Sequence, residues 1–152
     1  MANYYCACRT NYFRVTDEER YKQLYSNLYC SEDIIYDFTK KDEDGTVWHG
    51  FGAYSSIDYK LYRTHCDDSG EYEDNFDFDL DFDAFLKEIQ QILPDDEAFI
   101  YMETGHEKLR YVTGHAVVAT KNAVECIDIT ASALLLASKM LGDPEFQTVV
   151  EY

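Results

Sequence analysis

EAFIYME (97–103) and RYVTGHAVVAT (110–120) are the runs on which the fold turns. Both are rich in β-branched and aromatic residues, and the polar GHEK (105–108) between them supplies a turn, so the pair reads as a β-hairpin. Downstream, NAVECIDIT (122–130) adds a short strand, and ASALLLASKML (131–141) reads as a buried helix closed by Gly142 and Pro144. Upstream, Phe82, Phe85, Leu86, Ile89, Ile92 and Leu93 mark one helical face. Asp81 or Asp83 suits its N-cap, and Pro94 stops it.

The first half follows the same logic. NYYCACRTNYFRV (3–15) reads as a strand bent near Arg9 or Asn11. Thr16 with Glu19 forms a capping-box pattern, and Tyr21, Leu24, Tyr25 and Leu28 have helical spacing, which predicts a helix over 17–29. DIIYDFT (33–39), TVWHGFGAY (46–54) and DYKLYRTHC (58–66) read as strands of an antiparallel meander, with KKDEDG (40–45) as a turn. The order β-α-β-β-β-α-β-β-β-α predicts a single α+β domain over 1–152, a mainly antiparallel sheet with about three helices packed on it.

Composition narrows the function. A 46 % hydrophobic share with fourteen Tyr and nine Phe is too apolar for a disordered acidic chain. The net charge is −17 and unevenly placed. Residues 1–66 hold ten acids and eight bases, and residues 108–152 hold five acids and four bases. Residues 67–107 hold fifteen acids against one base, Lys87. Free nucleic acid and anionic membrane would be repelled by this field, whereas basic proteins and cations are attracted. MANYYCACRTNYF has neither the basic start nor the apolar run of a signal peptide, and no apolar run reaches a membrane span. Five cysteines with no CxxC pair fit reduced thiols, so a cytoplasmic location is expected.

Nine carboxylates fall within residues 67–83: Asp67, Asp68, Glu71, Glu73, Asp74, Asp77, Asp79, Asp81 and Asp83. The alternation DFDLDFD (77–83) predicts a strand with its acids on one face and Phe78, Leu80 and Phe82 buried on the other. Same-face carboxylates would then recur every ~6.6 Å. One reading is a solvated edge that repels its own copies. A second is calcium, since Asp77, Asp79, Asp81 and Glu88 stand at positions 1, 3, 5 and 12 of an EF-hand spacing, although Phe82 occupies the position that needs Gly. The third is a phosphate-backbone mimic, because DNA carries a charge every ~3.4 Å along each strand and occupies basic grooves by the same physics. Tyr72 and Phe76 would supply apolar anchors, with Glu88, Asp95, Asp96 and Glu97 as outer contributors.

Catalytic patterns are weak. The four histidines lack metal-ligand spacing, and Cys6 with Cys8 alternate on one strand face as small hydrophobes do. Cys126 with His115 is a conceivable nucleophile pair without local support, and His106 reads as part of a solvated turn. No GxGxxG, Walker loop or GxSxG is present. The expectation is a non-enzymatic protein with no metal or cofactor.

CRTNYFRVTDEERY (8–21) and GHEKLRYVTGHAVV (105–118) resemble parts of small acidic proteins carried on mobile elements and phages of Gram-positive bacteria. In size and charge the chain resembles anti-CRISPR and antirestriction proteins, many of which imitate DNA on a nuclease surface. That resemblance implies an inhibitor whose partner is a basic nucleic-acid-binding protein such as a Cas or restriction nuclease. It assigns no site residue. The alternatives are an immunity protein against a basic toxin nuclease, or an acidic domain that binds calcium loosely. The other sheet face leaves room for a homodimer, which the sequence does not decide.

Overall fold

The computed structural model describes residues 4–32, 34–62, 78–108 and 111–148. In chain order its elements are β1 (Tyr5–Thr10), α1 (Glu18–Ser26), β2 (Leu28–Cys30), β3 (Tyr36–Asp37), β4 (Lys40–Lys41), β5 (Val47–Trp48), β6 (Phe51–Ala53) and β7 (Ile57–Tyr62). There follow β8 (Phe78–Leu80), α2 (Phe82–Ile92), β9 (Ala98–Glu107), β10 (Tyr111–Thr120), β11 (Val124–Asp128) and α3 (Ile129–Leu141). Six strands form one sheet in the order β11-β10-β9-β1-β6-β3, and every neighbouring pair is antiparallel. A smaller sheet has the order β2-β7-β8, and β4 pairs with β5. The architecture is the expected α+β one.

The β9–β10 hairpin is longer than its two sequence runs. Its register continues from Thr120↔Ala98 to Tyr111↔Glu107, so Gly105, His106 and Glu107 are strand residues and not the expected turn. Lys108 turns the corner with φ 51°. The expected meander is also broken: β6 stays in the large sheet, whereas β7 leaves it for the small one. β1 fills the gap and pairs with β9 from Tyr5↔His106 to Thr10↔Tyr101.

The bend expected in the first strand falls at Asn11. Its side-chain Nδ2 donates to the Ala98 carbonyl at 2.8 Å and its Oδ1 accepts from the Ile100 N–H at 2.8 Å, so an amide side chain takes over where the backbone ladder leaves off. Helix α1 is shorter than predicted and is capped by Asp17, which accepts the Arg20 N–H at 2.9 Å. Thr16 is not the cap; its N–H and hydroxyl both bind the Ile92 carbonyl and tie α1 to the end of α2. Leu28 to Cys30 leave the helix because β7 offers them a ladder.

α2 follows its sequence closely. Asp81 caps it, Phe85, Leu86, Ile89 and Ile92 are buried, and it ends before Pro94. With α1 and the small sheet it covers one face of the large sheet, here the inner face. Phe13, Phe51, Phe85 and Phe99 are fully buried between these layers. Phe85 meets Phe51, Tyr59 and Phe99 with ring centroids 5.7–6.2 Å apart. Among the described residues no helix is long and apolar enough to cross a membrane.

α3 contradicts its sequence reading. It is a helix, capped by Asp128 and ended by Gly142 in the left-handed region, but none of its residues is buried. Its apolar composition requires burial without specifying against what, and among the described residues no element covers it as a core helix is covered.

Candidate partner-binding surface

Of the nine candidate carboxylates, Asp67, Asp68, Glu71, Glu73, Asp74 and Asp77 lie outside the described residues, as do Tyr72 and Phe76. Asp79, Asp81 and Asp83 are described, and they do not share one strand face. Asp79 is on β8, Asp81 is the N-cap of α2, and Asp83 is in the first helical turn. The alternation stops being a strand at Leu80 because the Asp81 carboxylate accepts the Ala84 N–H at 3.0 Å and starts the helix. Two acids at a helix start are favoured by its dipole.

The apolar residues between them also depart from expectation. Only Phe82 packs on the core, stacked on Phe85 at 5.4 Å and 4.9 Å from Tyr101. Phe78 and Leu80 are exposed, because among the described residues β8 pairs with β7 alone and sits at the edge of the small sheet. Phe78 instead meets Tyr62 edge-on and Tyr29 at a tilt, with ring centroids 6.0 and 6.5 Å away. Lys60 lies over the rings of Phe78 and Tyr29 at 4.9 and 5.2 Å. An exposed aromatic patch thus flanks the chain ends that lead into and out of 63–77. The sequence supplied these residues, but their grouping depends on β2 and β7 being neighbours.

The outer contributors are engaged within the chain. Glu88 pairs with Arg20, Asp95 with Lys121 at 2.7 Å, and Arg14 bridges Asp96 at 3.1 Å and Glu97 at 2.8 Å. The Arg14 guanidinium holds the Asp96 carboxyl below the usual carboxylate range. These acids present less free charge to a partner than their number implies. Glu88 is moreover in a helix and Asp81 is a cap, so residues 78–92 form a strand and a helix rather than a calcium loop. Among the described residues no group of three or more His, Cys, Asp or Glu could hold a metal.

A buried polar cluster that the sequence did not signal lies on the inner sheet face. Glu103 accepts hydrogen bonds from the Tyr101 phenol and the Ser56 hydroxyl, both at 2.8 Å, while the Tyr101 oxygen accepts the Ile57 N–H at 3.1 Å. The Cys8 thiol donates to the Ser55 carbonyl at 3.2 Å, and burial pushes its pKa up, away from thiolate character. Cys6, Cys8, Cys30 and Cys126 are free thiols. Strand pairing places His115 opposite Asp128 and Val117 opposite Cys126, so His115 and Cys126 share a face two residues out of register. His106 is an exposed strand residue whose ring is 5.8 Å from that of Tyr5. His49 is buried, with Nε2 3.0 Å from a Glu18 carboxylate oxygen and its ring 4.0 Å from that of Tyr21, as a structural histidine is.

Compared with known proteins, the chain matches no family model, no curated protein and no solved structure.

Proposed function

We propose that this chain is a non-enzymatic, stoichiometric inhibitor that occludes a basic nucleic-acid-binding cleft of a partner protein, in the manner of a DNA mimic. One observation carries the reading: fifteen acids against one base in residues 67–107 of a chain that is otherwise nearly neutral. Glu88, Asp95, Asp96 and Glu97 have bases of the chain beside them. The carboxylates proposed to meet the partner are therefore those of 67–83, with Asp79 and Asp83 exposed at its C-terminal end. Dense like charge steers association with a cationic groove and releases the counterions that nucleic acid would release. The Tyr29–Lys60–Phe78–Tyr62 patch supplies apolar contact at the rim, where aromatics concentrate binding energy.

The test is capture from nuclease-treated bacterial lysate at ~50 and ~200 mM salt, a range over which phosphate-type contacts weaken strongly. Wild type and the Asp77/Asp79/Asp81→Asn variant serve as baits. Retention of nucleic-acid-binding proteins by wild type alone, lost at the higher salt, is the expected result. Equal retention by both baits would remove the acidic run from the contact surface. Retention of one basic toxin nuclease alone would point to an immunity protein.

A further inference from the structure

We infer that the chain self-associates through a face unrelated to the acidic run, with α3 of one copy lying across the outer face of the large sheet of a second copy. α3 holds Ile, Leu, Met and Ala on all sides, and Leu135, Leu136, Met140 and Leu141 are 57–78 % exposed. A thirteen-residue helix in water is marginal by itself, and a helix apolar all round is normally a buried one. Its anchorage to its own chain is at its start, where Ile129 sits against Gly114: a Cβ added there would stand 3.2 Å from Ile129 Cγ2. α3 therefore leaves β11 on the outer side and reaches a surface that the described residues do not fill.

The outer sheet face is the complementary half. It carries a hollow of about 510 Å³ lined by Ala7, Arg9, Tyr36, Phe38, Tyr54 and Met102. A neighbouring hollow of about 480 Å³ is lined by Thr104, Val112, Gly114 and Ile129 among others. Met102, Val112 and Tyr54 are 50–74 % exposed. Thirteen helical residues span ~20 Å, and the five strands from β10 to β3 span ~19 Å at ~4.8 Å per gap. The helix and the face match in length.

Charge selects a second copy as the occupant. α3 has one charged residue, Lys139, and the first hollow one, Arg9, so neither contributes a carboxylate. The acids bordering this surface are Glu125, paired with Val118 on the edge strand β11, Asp128 at the N-cap of α3, and Asp143 just past its C-cap. Asp79, Asp81 and Asp83 belong to the layer on the opposite side of the sheet. Two molecules of net charge −17 approach with less repulsion through this acid-poor face than through the acidic run, whereas an anionic bilayer repels the chain as a whole. In a two-fold dimer the helix-on-sheet contact is made twice, so each need bury only roughly 400 Å² per side to reach a standard interface of ~800 Å² per partner.

The experiment is sedimentation velocity from ~1 to ~100 μM, a range that brackets micromolar dissociation constants. It compares wild type, Leu135→Glu/Met140→Glu on the helix and Met102→Glu on the sheet. All three positions are exposed in the single chain, and circular dichroism at low concentration checks that the variants fold. Wild type should pass from one chain of 17.7 kDa to two, and each variant should weaken the dimer at least tenfold. Added salt should strengthen the dimer by screening the like charges, whereas it weakens capture of a basic partner, so the two proposals fail separately. A wild type that stays a single chain throughout would overturn the inference. So would a dimer that neither variant weakens, or a single chain that binds phosphatidylcholine vesicles through α3.

Discussion

The Asp81 carboxylate accepts the backbone N–H of Ala84 at 3.0 Å, so a residue that belongs to the acidic run by charge belongs to α2 by structure. Charge and cap are separable by substitution. Asn caps a helix as well as Asp does, whereas Ala loses the bond at a cost of ~1 kcal/mol. Asp81→Asn should leave urea stability unchanged and Asp81→Ala should lower it by about that amount. Equal stability of the two variants would show that the cap contributes nothing.

Phe85 joins α2 to the large sheet through Phe51, Tyr59 and Phe99. It is fully buried, so Phe85→Ala removes both transfer energy and packing. The expected loss is ~3–5 kcal/mol in denaturant unfolding, a large part of a typical domain's stability. A loss under ~1 kcal/mol would mean that the interface with α2 is not a core contact.

Tyr101 serves two partners: it donates to Glu103 and accepts from the Ile57 N–H. Tyr101→Phe keeps the ring but leaves a buried carboxylate with one donor fewer and a backbone N–H without its acceptor. The cost should be ~1–3 kcal/mol, read by thermal or urea unfolding. Glu103→Gln should lose less, because the amide keeps an acceptor for Ser56 or Tyr101.

Burial raises the phenol pKa of Tyr21 and Tyr101 well above the ordinary value, with nearby negative charge adding at Tyr21. The folded state binds these protons more tightly than the unfolded chain does. Their contribution is therefore fully present below about pH 10, the unfolded phenol value, and is lost as pH rises above it. The slope is up to ~1.4 kcal/mol per pH unit for each group. Alkaline titration should develop their phenolate absorbance only as the near-UV circular dichroism collapses. The Tyr21→Phe variant, which keeps the ring, should show a shallower alkaline loss than wild type.

The sequence was most readable where local and tertiary signals agree. α2 has a stripe, a cap and a terminating proline, and all three appear in the structure. It was least readable where a neighbour decides. Leu28 continues the helical spacing of α1, yet pairing with Tyr59 makes it a strand residue. The run TVWHGFGAY splits at His49 and Gly50, where His49 pairs with Phe13 instead of continuing a ladder. Strict alternation at 77–83 carries no sign that β8 sits at an edge, so the pattern points Phe78 into the core although Tyr29, Lys60 and Tyr62 hold it outside. The polar cluster around Glu103 was hidden because its members come from β1, β9 and the segment before β7, which only the topology brings together.

The place of β1 has a consequence for the chain during its synthesis. The first strand of the sequence is an interior strand of the sheet, and its longer ladder is with residues 101–106. At ~5–20 residues per second, a ribosome takes roughly 5–20 s to deliver those partners. For that interval β1 has one side of its ladder open, the situation in which nascent chains associate with one another. The acidic run is translated before β9, so the growing chain acquires its strong negative charge while that edge is still waiting. Mutual repulsion between neighbouring nascent chains is the physical effect expected of that charge during the interval.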